Sequence, residues 1–305
     1  MSRFILRRLL QSIPVLFAVV TLAFFLVRLA PGGPFDSEKR ADPKVLAQLE
    51  AHYRLDQPLL VQYYEYMSGV VRGDLGPSYR KPGRTVSEWM LLRFPVSLEL
   101  GLYALAVALA VGMGAGLIAS LRPNSPLDHG TMSAAMLGIC LPSFVLGPLL
   151  VLVFSLRFGW FPVAGWGSPA HKVLPALTLG AMYAAYIARL TRGGMLETLA
   201  QDFVRTARAK GLTEARVVLR HALRGGVQPV VAFLGPAAAG LFTGSFVVET
   251  IFQIPGLGRE FVESAFNRDY TMVIGTVLVY AVLVVALNLA ADLAQAWLDP
   301  RVRNQ

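Results

Sequence analysis

The sequence predicts an all-α membrane protein with six transmembrane helices, and three observations support this fold class. First, 55% of the 305 residues are hydrophobic and only 15% are charged, whereas a soluble domain carries about 25% charged residues. Second, the mean hydropathy is +0.54. Third, six uncharged runs approach the roughly 20 residues that a helix needs to cross the hydrocarbon of a bilayer. Soluble globular and disordered chains are therefore excluded.

The six uncharged runs are residues 9–27, 100–121, 130–156, 173–188, 225–248 and 270–291. The fourth is the shortest, so we expect its helix to extend over His171 and Arg189. Glu99, Glu249 and Asp292 lie only at the ends of runs. Ion-driven carriers often keep an acidic residue at mid-membrane depth. The pattern therefore disfavours a stand-alone secondary carrier.

The distribution of Lys and Arg predicts the orientation. With the N-terminus inside, the inner short loops and termini carry fourteen basic residues, and the short outer loops carry only Arg157, Lys172, Arg259 and Arg268. Because short cytoplasmic loops are enriched in basic residues, we expect both termini in the cytoplasm. The chain then divides into an N-terminal transmembrane helix (1–30), a periplasmic loop with short helices (31–93), a core of five transmembrane helices (94–298) and a cytoplasmic tail (299–305). An uncleaved anchor is favoured over a signal peptide, because no A-x-A site follows the first run.

The periplasmic loop is expected to contain two amphipathic helices. Asp42 followed by Pro43 is typical of a helix start, and Val45, Leu46, Leu49 and Tyr53 follow at helical spacing. A second apolar series runs through Leu60, Tyr63, Tyr64, Met67 and Val71. These faces either pack on the ends of the spans or form a docking surface for an external partner.

Glycines and prolines mark special positions within the spans. Gly112, Gly114 and Gly116 lie in the second span, and Gly240 and Gly244 lie in the fifth. Small residues let helices approach closely in lipid, so we expect these glycines at helix contacts. Pro142, Pro148 and Pro236 are expected to bend or break their spans, either for packing or for a moving gate.

The chemistry of enzymes is missing from the sequence. No Gly-Lys dipeptide occurs, so the chain has no phosphate-binding loop, and neither H-E-x-x-H nor G-x-S-x-G is present. His52, His129, His171 and His221 lack ligand spacing, and Cys140 is the only cysteine. We expect no catalytic residue, no metal site and no cofactor in this chain, which is therefore not expected to be an enzyme. In so apolar a chain the net charge of +9 indicates cytoplasmic loops rather than a nucleic-acid partner.

The most informative segment is 190–227, between the fourth and fifth spans. It is predicted to form helices over 195–210 and 213–223, with a break at Gly211 and Thr213 as a helix cap. The basic residues of this region are interleaved with seven apolar ones: Phe203, Val204, Ala207, Leu212, Val217, Val218 and Leu219. Exposed apolar residues in a loop need a partner. We therefore favour a protein-docking helix over a solvated basic loop.

The sequence R-T-A-R-A-K-G-L at 205–212, followed by R-H-A-L at 220–223 and Pro229, resembles the EAA loop of ABC-importer permeases. Ala207 and Gly211 match the general pattern, whereas Arg205 and Thr206 replace its first two residues and the distal I-x-L-P is missing. This departure is typical of the dipeptide/oligopeptide branch. Further matching pieces occur in order: F-I-L-R-R at 4–8, R-L-A-P-G at 28–32, G-D-L-G-P-S at 73–78, F-P-V-S at 94–97, E-T-I-F at 249–252, I-P-G-L-G at 254–258 and N-R-D-Y at 267–270. The G-P-S and F-P-V-S forms are most similar to B-type permease subunits of oligopeptide importers.

The resemblance implies the type I ABC-importer permease fold in the bacterial inner membrane. It implies as partners a second, homologous permease subunit, two ABC ATPase subunits that bind ATP and Mg, and a periplasmic binding protein that delivers the peptide. The predicted coupling residues are Arg205, Thr206, Ala207, Arg208, Lys210, Gly211 and Leu212, while the residues that bind substrate stay unassigned. Alternatives are a dipeptide, nickel or glutathione importer of the same family, a secondary carrier, or a membrane scaffold protein.

Overall fold

The computed structural model describes residues 2–30, 32–35, 43–243 and 245–298. These residues form helices joined by turns. An isolated antiparallel β-bridge pairs Pro77 with Thr85. Five helices are long and apolar enough to cross a membrane, and a sixth crossing is possible if one bent pair of helices counts as a single span. The predicted all-α membrane fold is confirmed.

The helices follow in chain order as α1 (Ser2–Leu29), α2 (Pro43–His52), α3 (Leu59–Val71), α4 (Val86–Leu121), α5 (Pro126–Cys140), α6 (Ser143–Leu150), α7 (Ala170–Leu199), α8 (Asp202–Ala209), α9 (Glu214–Arg216), α10 (Leu223–Gly226), α11 (Gln228–Thr243), α12 (Phe246–Ile251), α13 (Leu257–Phe266) and α14 (Tyr270–Leu298). Two π-helical segments, Val151–Arg157 and Val217–Ala222, extend α6 and join α9 to α10. The helices predicted around 43–53 and 58–71 are present as α2 and α3, whereas Asp42 and Gly244 lie outside the described residues.

The bent pair replaces the straight third span that the run 130–156 predicts. α5 and the helix that begins at Ser143 meet at 110°. Leu141 has an extended conformation (φ −88°, ψ 112°) directly before Pro142, as expected for a residue that precedes proline. The fourth span extends over His171 and Arg189, as predicted, and continues to Leu199.

Contacts divide the chain into two units. The first comprises Met1–Ser97 and Pro255–Ala286. Two carboxylates of the second segment make polar contacts with the first. The Asp269 carboxylate accepts hydrogen bonds from Ser78 and from Thr271. The buried Glu260 carboxylate pairs with Lys81 and Arg93. The second unit comprises Leu98–Ile254 and Leu287–Gln305. It contains the segment that resembles the EAA loop.

Close packing of α4 against α7 organises the second unit. A β-carbon at Gly112 would collide with the Ala184 carbonyl oxygen, and one at Gly116 would collide with the Ala188 carbonyl oxygen. A β-carbon at Gly180 of α7 would lie 2.7 Å from a carbonyl oxygen of α4. The prediction of helix contacts is therefore confirmed for Gly112 and Gly116. It is wrong for Gly114, which points into open space because it lies on the opposite face of α4.

A bidentate ion pair joins the first turn of α5 to α7. Arg192 Nε and Nη2 each donate to the Asp128 carboxylate at 2.7 Å, and the Asn124 backbone N–H donates to the same carboxylate at 2.9 Å. The Asp128 side chain is 3% exposed. Asp128 is thus an acid that can stay buried because its charge is paired and hydrogen-bonded.

We expect Arg192→Gln to lower the melting temperature of the detergent-solubilised protein by several degrees, because it leaves the Asp128 carboxylate buried without a cation. Arg189→Gln is the matched control, since Arg189 is exposed on the same helix. Thermal unfolding followed by size-exclusion chromatography measures both. Equal melting temperatures for the two variants would contradict a stabilising role for the pair.

Candidate functional site

The candidate site begins where α7 ends. We predicted a helix that starts at residue 195, and this is wrong: residues 195–199 complete α7. Gln201 then adopts an extended conformation (φ −77°, ψ 151°) and α8 begins at Asp202. The reason is packing, because Met195 is fully buried in the same apolar cluster as residues of α8 and therefore continues the buried face of α7.

The predicted break at Gly211 is confirmed. Gly211 has φ +76°, a left-handed conformation that glycine adopts at little cost and that commonly ends helices. The chain then turns into α9 at Glu214. Thr213 occupies the position before α9, as predicted, but its side chain makes no capping hydrogen bond.

An apolar cluster fixes α8 and the π-helical segment to the end of α7. Its buried members are Met195, Val204, Ala207, Val217, Val218 and Ala222, with Leu212 packed at its edge. The expectation that the seven apolar residues of this segment are exposed is therefore wrong for most of them. Spacing places these side chains on one face, and the chain covers that face with its own α7. Burial of this face makes the segment a firmly seated part of the second unit.

Two large apolar side chains of the segment do stay exposed. Phe203 is 48% exposed on α8, and Leu219 is 59% exposed on the π-helical segment. Basic residues are exposed in the same segment: Arg205, Arg208, Lys210, Arg216, Arg220 and Arg224. The outer face therefore combines two apolar side chains with positive charge, a composition suited to binding an acidic protein surface with an apolar pocket.

The seven predicted coupling residues are brought together at α8 and the turn that follows it. Arg205, Thr206, Arg208, Lys210 and Gly211 are exposed, whereas Ala207 is 6% exposed and Leu212 is half-buried. Ala207 and Leu212 therefore hold the helix onto the cluster, and the other five form its outer surface.

Arg208 bridges the turn at Gly211. Its Nε and Nη2 donate to the Glu214 carboxylate at 3.1 and 2.6 Å. This hydrogen-bonded pairing with Arg208 lowers the pKa of Glu214 below its usual range. The bridge joins α8 to α9 across the turn at Gly211.

Sequence reasoning missed two features of this site. Glu214 was not assigned a role, although its position three residues after Gly211 and six after Arg208 suits a bridge across the turn. The pair of Asp128 and Arg192 was also missed, because the two residues are far apart in the sequence and no local pattern connects them. Among the described residues no group of three or more His, Cys, Asp and Glu side chains could hold a metal ion.

Comparison with known proteins gives the family. Residues 112–304 match the family described as the binding-protein-dependent transport system inner membrane component, and residues 1–100 match the N-terminal family of the same transport systems. The oligopeptide transport system permease protein OppB of Haemophilus influenzae is 44% identical, over 99% of this chain and 100% of the relative. OppB of Salmonella typhimurium is 45% identical over the same shares. The dipeptide transport system permease protein DppB of Bacillus subtilis is 43% identical, over 99% of this chain and 98% of the relative.

Two solved structures share the fold. An amino acid ABC transporter with histidines superposes with a TM-score of 0.53 at 19% identity, over 68% of this chain and 92% of that chain. The MetNI methionine ABC transporter in inward-facing conformations gives a TM-score of 0.56 at 18% identity, over 68% of this chain and 95% of that chain. With the sequence matches, these show a multi-pass inner-membrane protein. The chain belongs to the family of inner membrane components of binding-protein-dependent transport systems.

Proposed function

We propose that this chain is a permease subunit of an ABC importer that moves oligopeptides into the cytoplasm. The observation that carries the proposal is identity of 43–45% to peptide permeases along essentially the whole chain. The match includes both the N-terminal and the core family regions, so it extends well beyond the segment at 205–212. Dipeptides are the second candidate cargo, because a dipeptide permease is nearly as similar as the oligopeptide permeases.

The proposed assembly contains a second, homologous permease subunit, two ABC ATPase subunits and a periplasmic peptide-binding protein. ATP and Mg would bind to the ATPase subunits, since this chain has no phosphate-binding loop. In this assembly, α8 and the turn at Gly211 serve as the coupling element that contacts an ATPase. The exposed Phe203 and Leu219 are the apolar anchors, and the surrounding Arg and Lys side chains pair with acidic groups of the ATPase.

The geometry suggests how movement of the ATPase would reach the spans. α8 is held to α7 by a buried cluster rather than by a flexible tether. A displacement of α8 would therefore move the end of α7, and the glycine contacts would pass that displacement on to α4. Val217 and Val218, which follow the turn, belong to the same buried cluster, so the turn would move together with α8.

Peptide uptake tests the cargo. The chain is expressed together with its proposed partner subunits in a strain that lacks its own peptide importers. Uptake of labelled di-, tri- and pentapeptides is then measured. We expect uptake of tri- and pentapeptides that depends on ATP and on the binding protein. Uptake restricted to dipeptides would move the assignment to the second candidate, and no peptide uptake would overturn both.

Substitutions at two neighbouring residues distinguish a loss of coupling from a loss of folding stability. We expect Phe203→Ala to leave the melting temperature unchanged and to lower uptake by about tenfold, because an anchor at an interface contributes on the order of 1–2 kcal/mol. Val204→Ala is the matched contrast. Val204 is fully buried, so its truncation should cost about 1–3 kcal/mol of folding stability.

Uptake and thermal unfolding are measured for both variants in the same membranes. If Phe203→Ala retains full uptake, the proposed docking face is wrong, while the assignment as a peptide permease still stands.

A further inference from the structure

Helix α3 in the first unit carries an apolar stripe that no described residue covers. Leu60 is 73% exposed, Tyr64 is 76% exposed and Val71 is 85% exposed. The spacing of these residues places them on one side of the helix. The helix contains one charged residue, Glu65, and it pairs with Arg54 at 2.8 Å. Such a stripe needs an apolar surrounding.

The other side of α3 packs against α1 at a depth that lies inside the membrane. Tyr63 and Thr21 share a hydrogen bond of 2.7 Å between their hydroxyl groups. The uncharged run of α1 covers residues 9–27, so its length matches the hydrocarbon thickness of a bilayer. Thr21 lies six residues before the end of that run, which corresponds to about 9 Å inside the hydrocarbon boundary.

A second helix gives the same depth. Tyr66 and Met67 of α3 pack in a cluster with Ile274 and Leu278 of α14. The span of α14 begins at Tyr270, so these residues lie about 6 and 12 Å along it from the end. Helix α3 therefore lies beside both spans below their ends. Amphipathic helices that lie in the membrane interface are buried by about 5–10 Å.

The residues near the boundary fit this position. Arg28 Nε donates to Gln62 Oε1 at 3.2 Å, and the Arg28 guanidinium lies 3.6 Å from the centre of the Phe24 ring. An arginine at the end of a span is expected to hold its charge at the polar boundary. Exposed apolar side chains of α1, Leu22 and Leu26, flank Phe24 in the sequence and lie at the same depth.

We propose that α3 lies in the membrane interface at the Arg28 end of α1, with Leu60, Tyr64 and Val71 in contact with phospholipid acyl chains. The segment between the first two spans is then partly a membrane-embedded element rather than a wholly aqueous loop. The proposal does not depend on the cargo. The alternative is that the stripe lies outside the membrane and is covered by a partner protein. The experiment below distinguishes these two possibilities.

Site-directed spin labelling tests the proposal on the full chain in its assembled transporter. In a Cys140→Ser background, single cysteines at Leu60, Tyr64 and Val71 are labelled with a nitroxide in vesicles of phosphatidylethanolamine and phosphatidylglycerol. Collision of the label with oxygen, which is enriched in lipid, is compared with collision with a water-soluble nickel chelate. Asp56→Cys and Arg84→Cys provide aqueous reference positions, because both residues are exposed in turns.

We expect oxygen collisions to exceed nickel collisions several-fold at the three stripe positions and the reverse at the two reference positions. Higher nickel than oxygen collisions at the stripe would place it in water and overturn the proposal. Low values for both reagents would show a covering protein and would equally overturn it. Elution of each labelled variant at the same size as the unlabelled transporter in size-exclusion chromatography confirms that the chain is assembled.

Discussion

Gly211→Val is expected to reduce ATP-driven peptide uptake by about tenfold while the chain still inserts and assembles. Gly211 has φ +76° with no atom within 4 Å of the position of a β-carbon, so the cost is conformational rather than steric. A left-handed conformation costs an L-residue roughly 1–2 kcal/mol, and a β-branched residue is a genuine outlier there. A free-energy change of this size alters an equilibrium by a factor of about 5–30. The turn would then open and release the angle between α8 and α9.

Gly211→Asn is the matched control, because asparagine tolerates the left-handed region. We expect this variant to retain most of the uptake. Uptake and peptide-stimulated ATP hydrolysis are measured in proteoliposomes for both variants. Equal activity of the valine and asparagine variants would show that the conformation at Gly211 does not matter for coupling.

Gly116→Ala is expected to destabilise the protein by about 1–3 kcal/mol, the usual cost of overpacking a close contact. The added methyl group would collide with the Ala188 carbonyl oxygen and with Thr191 on α7. Because both contacts belong to a helix, neither can withdraw without moving α7 away from α4. The same movement would disturb the end of α7 that holds α8.

Gly114→Ala is the control on the same helix, since no atom lies within 4 Å of its β-carbon position. Alanine is preferred over glycine in helices by about 1 kcal/mol, so this variant should be neutral or slightly more stable. Melting temperatures in detergent measure both substitutions, at about 2–4 °C per kcal/mol for a protein of this size. A stable Gly116→Ala variant would mean that α4 and α7 can separate without cost.

The fold class could be predicted from the sequence because the hydropathy of a segment indicates whether lipid or water surrounds it. The run 173–188 was too short for a span, and its extension past His171 and Arg189 followed from the thickness of the membrane. Pro142 indicated a break. The angle of 110° depends on how α5 and the following helix pack against other helices, which local sequence does not contain.

The sequence was sufficient to locate the candidate site, but not to show which of its faces is exposed. Gly211 predicted the end of a helix, because the left-handed conformation that glycine readily adopts depends only on the residue itself. The start of α8 was missed, because nothing in the sequence between Met195 and Phe203 breaks a helix. The spacing of Val204, Ala207, Val217 and Val218 indicated a shared apolar face, but spacing cannot distinguish a face covered by the chain itself from one covered by a partner. Only the contacts with Met195 identify the cover.

The ion pair between Asp128 and Arg192 also identifies the end of α7 beside which the chain enters α5. α7 rises about 33 Å between Ala170 and Arg192, which is the thickness of the hydrocarbon core. Asp128, at the start of α5, lies beside Arg192 and therefore a full membrane thickness away from the start of α7.

A chain that enters α5 beside Arg192 must reach the opposite face before it can enter α7. The bent pair and the residues up to Pro169 therefore carry the chain from one end of α7 to the other. The end of α4 and the start of α8 consequently lie on the same face. Arg122, directly after α4, and the basic surface of α8 therefore lie at the same end of α7, an arrangement that the packing of Leu117 against the α8 cluster also supports.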